Sequence, residues 1–202
     1  MSSHSARLAA LREQLARQRL DGFVVPLTDE HMSEYVGAYA QRLAWLTGFQ
    51  GSAGTAVVLP QEAAIFTDGR YTLQVREQVD GGDWQFVGVP ETSVAQWLEH
   101  HAADGARIGY DPWLHTRAWV DEASAALAKV GATLVPVDTN PIDAIWPDRP
   151  APSDATLSVH GDAVAGRSSA DKRAAVADWL AEQNADAVVL AALDSIAWLL
   201  NV

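Results

Sequence analysis

Apolar positions along this chain recur in two rhythms, one near four residues and one of two, and the rhythms alternate. In SARLAALREQLARQRLDGFVV, Leu8, Leu11 and Leu15 keep helical spacing. The run stops at Asp21 and Gly22, where Gly22 suits a left-handed C-cap, and a short strand through Phe23 to Val25 should follow. TAVVLPQEAAIFTD holds two β-rich runs around a polar turn containing Pro60, the pattern of an antiparallel hairpin. Tyr71, Val75 and Val79 recur every four residues and predict a helix ending near the DGGD turn at Asp80 to Asp83. WQFVGV reads as a strand. Ser93 and Gln96 form a capping-box pair ahead of a helical stripe of Val94, Trp97, Leu98 and His101. Arg107 to Tyr110 returns as strand. A helix over Thr116 to Val130 then carries Val120, Ala123, Leu127 and Val130 on one side and closes at Lys129 and Gly131, and TLVPV supplies the next strand.

Helices and strands that alternate, with one hairpin among them, predict an α/β layer structure with a mixed sheet flanked by helices over residues 1–150. WPDRPAPSD, residues 146–154, sets three prolines among charged and small residues and predicts an extended connection and a domain boundary. In residues 151–202, Ser168 and Asp171 can box the start of a helix bearing Val176, Trp179 and Leu180. A strand at Ala187 to Leu190 and the apolar run ALDSIAWLLNV follow. About 50 residues is marginal for an independent core, and Ile196, Trp198, Leu199 and Leu200 have no later segment to pack against. The expectation is a second α/β domain that begins here and is incomplete, with some tendency to self-associate.

Composition narrows the function classes. A hydrophobic fraction of 49% with 8 Trp belongs to a folded chain. No apolar run approaches the roughly 20 residues of a membrane span, and no signal sequence opens the chain, so a cytoplasmic protein is expected. The absence of cysteine removes disulfides, thiolate zinc sites and cysteine nucleophiles. A net charge of −12, with no basic run, repels phosphate backbones and anionic membrane surfaces.

Candidate chemistry is sparse. His4, His31, His100, His101, His115 and His160 show no His-Glu-x-x-His or other compact ligand spacing, so no metal site is expected. GFQGSAGT, residues 48–55, lacks the elements of a P-loop, a dinucleotide fingerprint and a Gly-x-Ser-x-Gly elbow, and reads as a turn into the TAVVL strand. TDEHMSEY gathers Asp29, Glu30, His31 and Glu34, which could serve acid/base chemistry or cap and open a helix. IGYDPW and NPIDAIWPDRP read as turns whose Tyr110, Trp113, Ile142, Ile145 and Trp146 pack on the core. FTDGRYTLQV raises a sharper question. If Asp68 caps a helix, Arg70 sits at the positive end of its dipole, at a cost of roughly 0.3 to 1 kcal/mol. Either the surface absorbs that cost or Arg70 has a task.

Taken in order, TDEHMSEY, LTGFQGSAGTAVV, FTDGRYTLQV, IGYDP, NPIDAIWPDRP and ALDSIAWLLNV are similar to the N-terminal part of long-form aminopeptidase P, the Xaa-Pro aminopeptidases of the creatinase and prolidase group of metallopeptidases. The resemblance implies a three-domain parent that removes an N-terminal residue when proline follows it. Two N-terminal α/β domains of ribonuclease-H-like topology would precede a C-terminal pita-bread catalytic domain, absent here, with two divalent metal ions, usually manganese. Two aspartates, one histidine and two glutamates hold those ions in the family, and no position of this chain matches them, so no catalytic or metal residue is assigned and this chain alone should not hydrolyse peptides. The resemblance places Arg70 against the bound peptide as a substrate-binding residue, and a guanidinium suits carbonyl or carboxylate recognition at any working pH. It further implies a homodimer and a role for the N-terminal domains in shaping access to the active site. The alternative is a standalone, non-enzymatic binding module of the same fold.

Overall fold

The computed structural model describes residues 3–202, in two compact units that divide between Pro152 and Ser153. In the first unit, helix α1 (His4–Arg17) starts at Ser3, whose side chain accepts the Ala6 N–H, and it buries Leu8, Leu11 and Leu15. Strand β1 (Gly22–Pro26), helix α2 (Arg42–Thr47), strands β2 (Thr55–Val58) and β3 (Ala63–Asp68), helix α3 (Gln74–Gln78) and strand β4 (Gln85–Val89) follow. Helix α4 (Val94–His101) opens on a complete capping box between Ser93 and Gln96. Strand β5 (Arg107–Tyr110), helix α5 (Arg117–Ala128), strand β6 (Thr133–Pro136) and helix α6 (Pro141–Ile145) complete the unit.

The sheet has the order β4-β3-β2-β1-β5-β6. β2 is antiparallel to β1 and β3, and the other pairings are parallel, so β2 alone runs against the rest. The period-two pattern decides what each face buries. Phe23, Val25, Ala56, Val58, Ala63 and Ile65 pack with α1, α2 and α6 on one side. Val24, Val57, Ala64, Phe66 and Ile108 meet α4 and α5 on the other, through Trp97, Leu98 and Leu127. Each of these buried Leu, Val or Phe side chains stabilises the fold by about 1.5–3 kcal/mol. The result is the expected mixed sheet covered by helices on both faces.

Several local expectations change. Gly22 does not cap α1: Arg19 takes the left-handed backbone at φ 58°, while Gly22 begins β1. Its lack of a side chain serves packing, since a Cβ there would lie 2.6 Å from Leu59 Cδ2 and 2.9 Å from the Val58 carbonyl oxygen. The helix expected to run from Asp68 is broken into a one-turn 3₁₀ helix, Gly69–Tyr71, and the short α3. Asp29 caps a turn instead of a helix, accepting the N–H groups of His31 at 3.0 Å and Ser33 at 2.9 Å. NPIDAI is helical, with Asn140 as its N-cap. Trp113 does not join the core and is 75% exposed.

The second unit contains α7 (Asp162–Ala165), α8 (Ser169–Glu182) and α9 (Leu193–Leu200). Ser168 caps α8 as expected, accepting the Asp171 N–H at 3.1 Å. Lys172 is buried: its ammonium donates to the Trp198 carbonyl at 2.9 Å and to Asn201 Oδ1 at 2.6 Å, tying α8 to the end of α9. The strand expected at Ala187 to Leu190 is absent among the described residues. A strand requires a ladder partner, and no described segment of this unit offers one; Val189 is left 92% exposed.

Candidate functional site at the strand ends

Five strands share one direction, so their C-terminal ends and the start of β2 meet at one edge of the sheet. In open α/β sheets this is where ligands bind, because the connecting loops converge there. The loop after β1 reaches across to the loop after β5 through Thr28 Oγ1, which donates to the Leu114 carbonyl at 3.0 Å. It also meets the loop before β2, where the Leu27 N–H donates to the Gly54 carbonyl at 3.1 Å.

Arg70 emerges at this edge directly after β3. Asp68 Oδ1 accepts the Arg70 backbone N–H at 2.9 Å and Nε at 3.1 Å, and Oδ2 accepts Nη2 at 2.8 Å. The carboxylate therefore binds one side of the guanidinium fork and leaves the end formed by Nη1 and Nη2 pointing away from it. Arg70 keeps 65% of its side-chain exposure against 31% for Asp68. The hydrogen bonds from Arg70 hold the Asp68 carboxyl below its usual range, and Asp68 in turn raises the guanidinium further. The dipole penalty expected at Arg70 does not arise in that form, since no α-helix begins there.

The guanidinium lies 5.3 Å from the centre of the Tyr71 ring. That ring meets Phe49 edge-on at 5.5 Å, and its hydroxyl shares a 2.8 Å hydrogen bond with Ser52 Oγ. The bond with Ser52 lowers the phenol below its ordinary value. Ser52 and Phe49 also line an open cleft of about 440 Å³ together with Leu27, Glu34, Tyr35 and Leu43. The charge of Glu34 is felt at Arg70. Tyr71 and, from the glycine-rich turn, Ser52 thus join Arg70 in one connected group.

The acidic stretch builds a turn around Asp29. The buried Asp29 carboxylate is committed to backbone N–H groups, which outweigh its desolvation and keep it ionised below the usual range. His31 Nε2 stands 3.9 Å from Glu30, on an open surface. His101 stacks on Trp97 at 4.0 Å and meets Glu62 at 2.8 Å, on α4 and the hairpin turn. Among the described residues no group of three or more His, Asp or Glu side chains is arranged to hold a metal ion. The two ions implied by the resemblance therefore find no ligand set here, and no chemistry is assigned through them.

The sequence model of the creatinase/prolidase N-terminal domain matches residues 7–145, and a second model of the same description matches residues 148–202. The chain belongs to the creatinase/prolidase N-terminal domain family. Within that family it is 37% identical over 98% of its length to a probable Xaa-Pro aminopeptidase P of Aspergillus flavus, and 36% identical over 96% to human Xaa-Pro aminopeptidase 2. It spans only 31% and 29% of those proteins. Among solved structures, the X-prolyl aminopeptidase of Caenorhabditis elegans, described as a cytosolic enzyme with a di-nuclear active site, superposes with a TM-score of 0.87 at 30% identity. The match covers all of this chain and 35% of that one. The N-terminal domain of the Mycobacterium tuberculosis peptidase PepQ shares the fold at a TM-score of 0.54 over 69% of the chain. This creatinase/prolidase chain is therefore like the N-terminal region of Xaa-Pro aminopeptidases.

Proposed function

We propose that this chain is the non-catalytic N-terminal portion of a cytoplasmic, homodimeric metallo-aminopeptidase that releases an N-terminal residue preceding proline. Residues 1–150 form its first domain and residues 151–202 the start of its second. A further catalytic domain supplies two divalent ions, manganese by family resemblance, and the chemistry of hydrolysis. The N-terminal region contributes substrate contact through Arg70, the shape of the entrance and part of the assembly. The observation that carries this reading is Arg70: an exposed cation tethered by Asp68 where the strand ends meet, next to Tyr71, whose hydroxyl bonds Ser52 in the lining of an open cleft. The guanidinium fork matches peptide acceptor oxygens in a planar, directed way.

The reaction is tested with the full-length protein loaded with manganese, offered peptides that differ only in proline or alanine at the second position. Release of the first residue from the proline peptide, with at least about tenfold lower kcat/KM on the alanine peptide, is the expected result. Equal cleavage of both would reject the proline specificity, and no cleavage of either would reject the reaction.

A further inference from the structure

Resting on the reading that Arg70 meets the substrate, we infer that Tyr71, fixed by Ser52, is a positioning residue that sets the plane and direction of the Arg70 guanidinium for a peptide acceptor. An arginine on an open surface samples many rotamers, and a bidentate contact demands one of them. Asp68 removes part of that freedom, but it is itself partly exposed and lies only two residues away, so carboxylate and guanidinium can swing as one unit. A second, immobile support is needed. Tyr71 provides it from below, its ring face 5.3 Å from the guanidinium carbon, within the range of a cation–π contact.

The ring is itself held from three directions. Phe49 abuts it edge-on at 5.5 Å. Ser52 Oγ fixes its hydroxyl at 2.8 Å. Gly51 lets the turn close against it: a Cβ at that position would lie 2.7 Å from Tyr71 Cδ1 and run into the Phe49 ring. The glycine-rich turn that carries no phosphate-binding or nucleophile motif thus has a use, as the cradle of the tyrosine beneath Arg70.

The geometry also defines the ligand class. A guanidinium has five N–H donors. Asp68 takes Nε and one position on Nη2, and among the described residues no acceptor bonds Nη1. The end of the fork then offers parallel N–H groups to one carboxylate or to peptide carbonyl oxygens, without displacing Asp68. Tyr71 and Ser52 act on the substrate only through that orientation.

The test is a double-mutant cycle in the full-length, metal-loaded protein, reading KM and kcat on a short Xaa-Pro peptide for Arg70→Ala, Tyr71→Ala, Ser52→Ala and the two pairs with Arg70→Ala. Tyr71→Ala should raise KM by about fivefold with kcat changed less, Ser52→Ala by about twofold, and Tyr71→Phe should restore most of the loss because the ring remains. In the Arg70→Ala background both effects should vanish, since there is no guanidinium left to orient. Losses that persist unchanged in that background, or a Tyr71→Ala enzyme equal to wild type, overturn the positioning role. If Tyr71→Ala does not fold, Tyr71→Leu and Ser52→Ala carry the same cycle. An Arg70→Ala enzyme equal to wild type overturns the substrate contact and the positioning role with it; a loss confined to Arg70→Ala overturns only the latter.

Discussion

Two side chains in the first unit show how environment, more than residue type, fixes behaviour. Arg70 is exposed yet tethered, and its partner Asp68 lies two residues away, so that contact is local to the five residues TDGRY. The support beneath it is not. Ser52 and Tyr71 lie 19 residues apart and meet only because β2 and β3 pair with Thr55 opposite Phe66, which brings the residues before one strand beside those after the other. His115 is the second case. Burial pulls its imidazole below the ordinary 6.5, against the weaker opposing pull of Asp111. Nδ1 lies 3.0 Å from the Asp111 carbonyl and so carries the proton, while Nε2 is buried with no partner. Because the folded value is the lower one, the unfolded chain binds the proton more readily. Stability held by neutral His115 is complete above about pH 6.5 and is lost as pH falls through the lowered folded value. His115→Phe, which keeps an aromatic ring against Trp119, should therefore show a smaller fall in urea midpoint between about pH 7.5 and about pH 5 than wild type. An unchanged fall would place the acid sensitivity elsewhere.

Helices and strands divide by length in how far the sequence reveals them. α1, α4 and α5 span enough turns for apolar spacing and caps to agree, and Ser93, Gln96 and Thr116 act as their positions suggest. α2 and α6, with six and five residues, are too short for a period, and tertiary contacts hold them instead. Their clamp joins residues 101 positions apart: Arg42 Nε and Nη2 meet the two oxygens of Asp143 at 2.7 and 2.9 Å, and Arg149 adds a contact to Asp143 at 2.8 Å. Arg42 is only 7% exposed, so the pair is shielded from solvent. Arg42→Ala leaves Asp143 with Arg149 alone and should cost about 3 kcal/mol. Trp45 and Trp146 stack 5.3 Å apart across the same two elements, and urea unfolding followed by far-ultraviolet circular dichroism measures the loss. A variant within about 0.5 kcal/mol of wild type would show that packing alone fixes α2 and α6. The strand expected at Ala187 to Leu190 is missing for the opposite reason: the β-rich run is there, but hydrogen-bonding partners lie outside what a local pattern can report.

Across the whole molecule, the alternation of periods is enough to predict a mixed sheet between helices, because each face of β1, β2 and β3 buries what its alternating residues supply. Strand order is not predictable in the same way, since the pairing of β1 with β5 rests on contacts more than 80 residues apart. That order assembles the candidate site. It sends five strand ends to one edge and places Arg70, Tyr71 and the cleft of Glu34, Phe49 and Ser52 there together. The proposed role depends on whether this edge touches substrate. The most direct measurement is kcat/KM for an Xaa-Pro peptide with the full-length manganese-loaded protein, wild type against Arg70→Ala, with folding and metal content confirmed for both. A substrate contact at Arg70 requires a loss of at least about tenfold, on the order of 1.4 kcal/mol of transition-state binding. Equal values would contradict it and return Arg70 to the solvated surface, paired with Asp68 and nothing more.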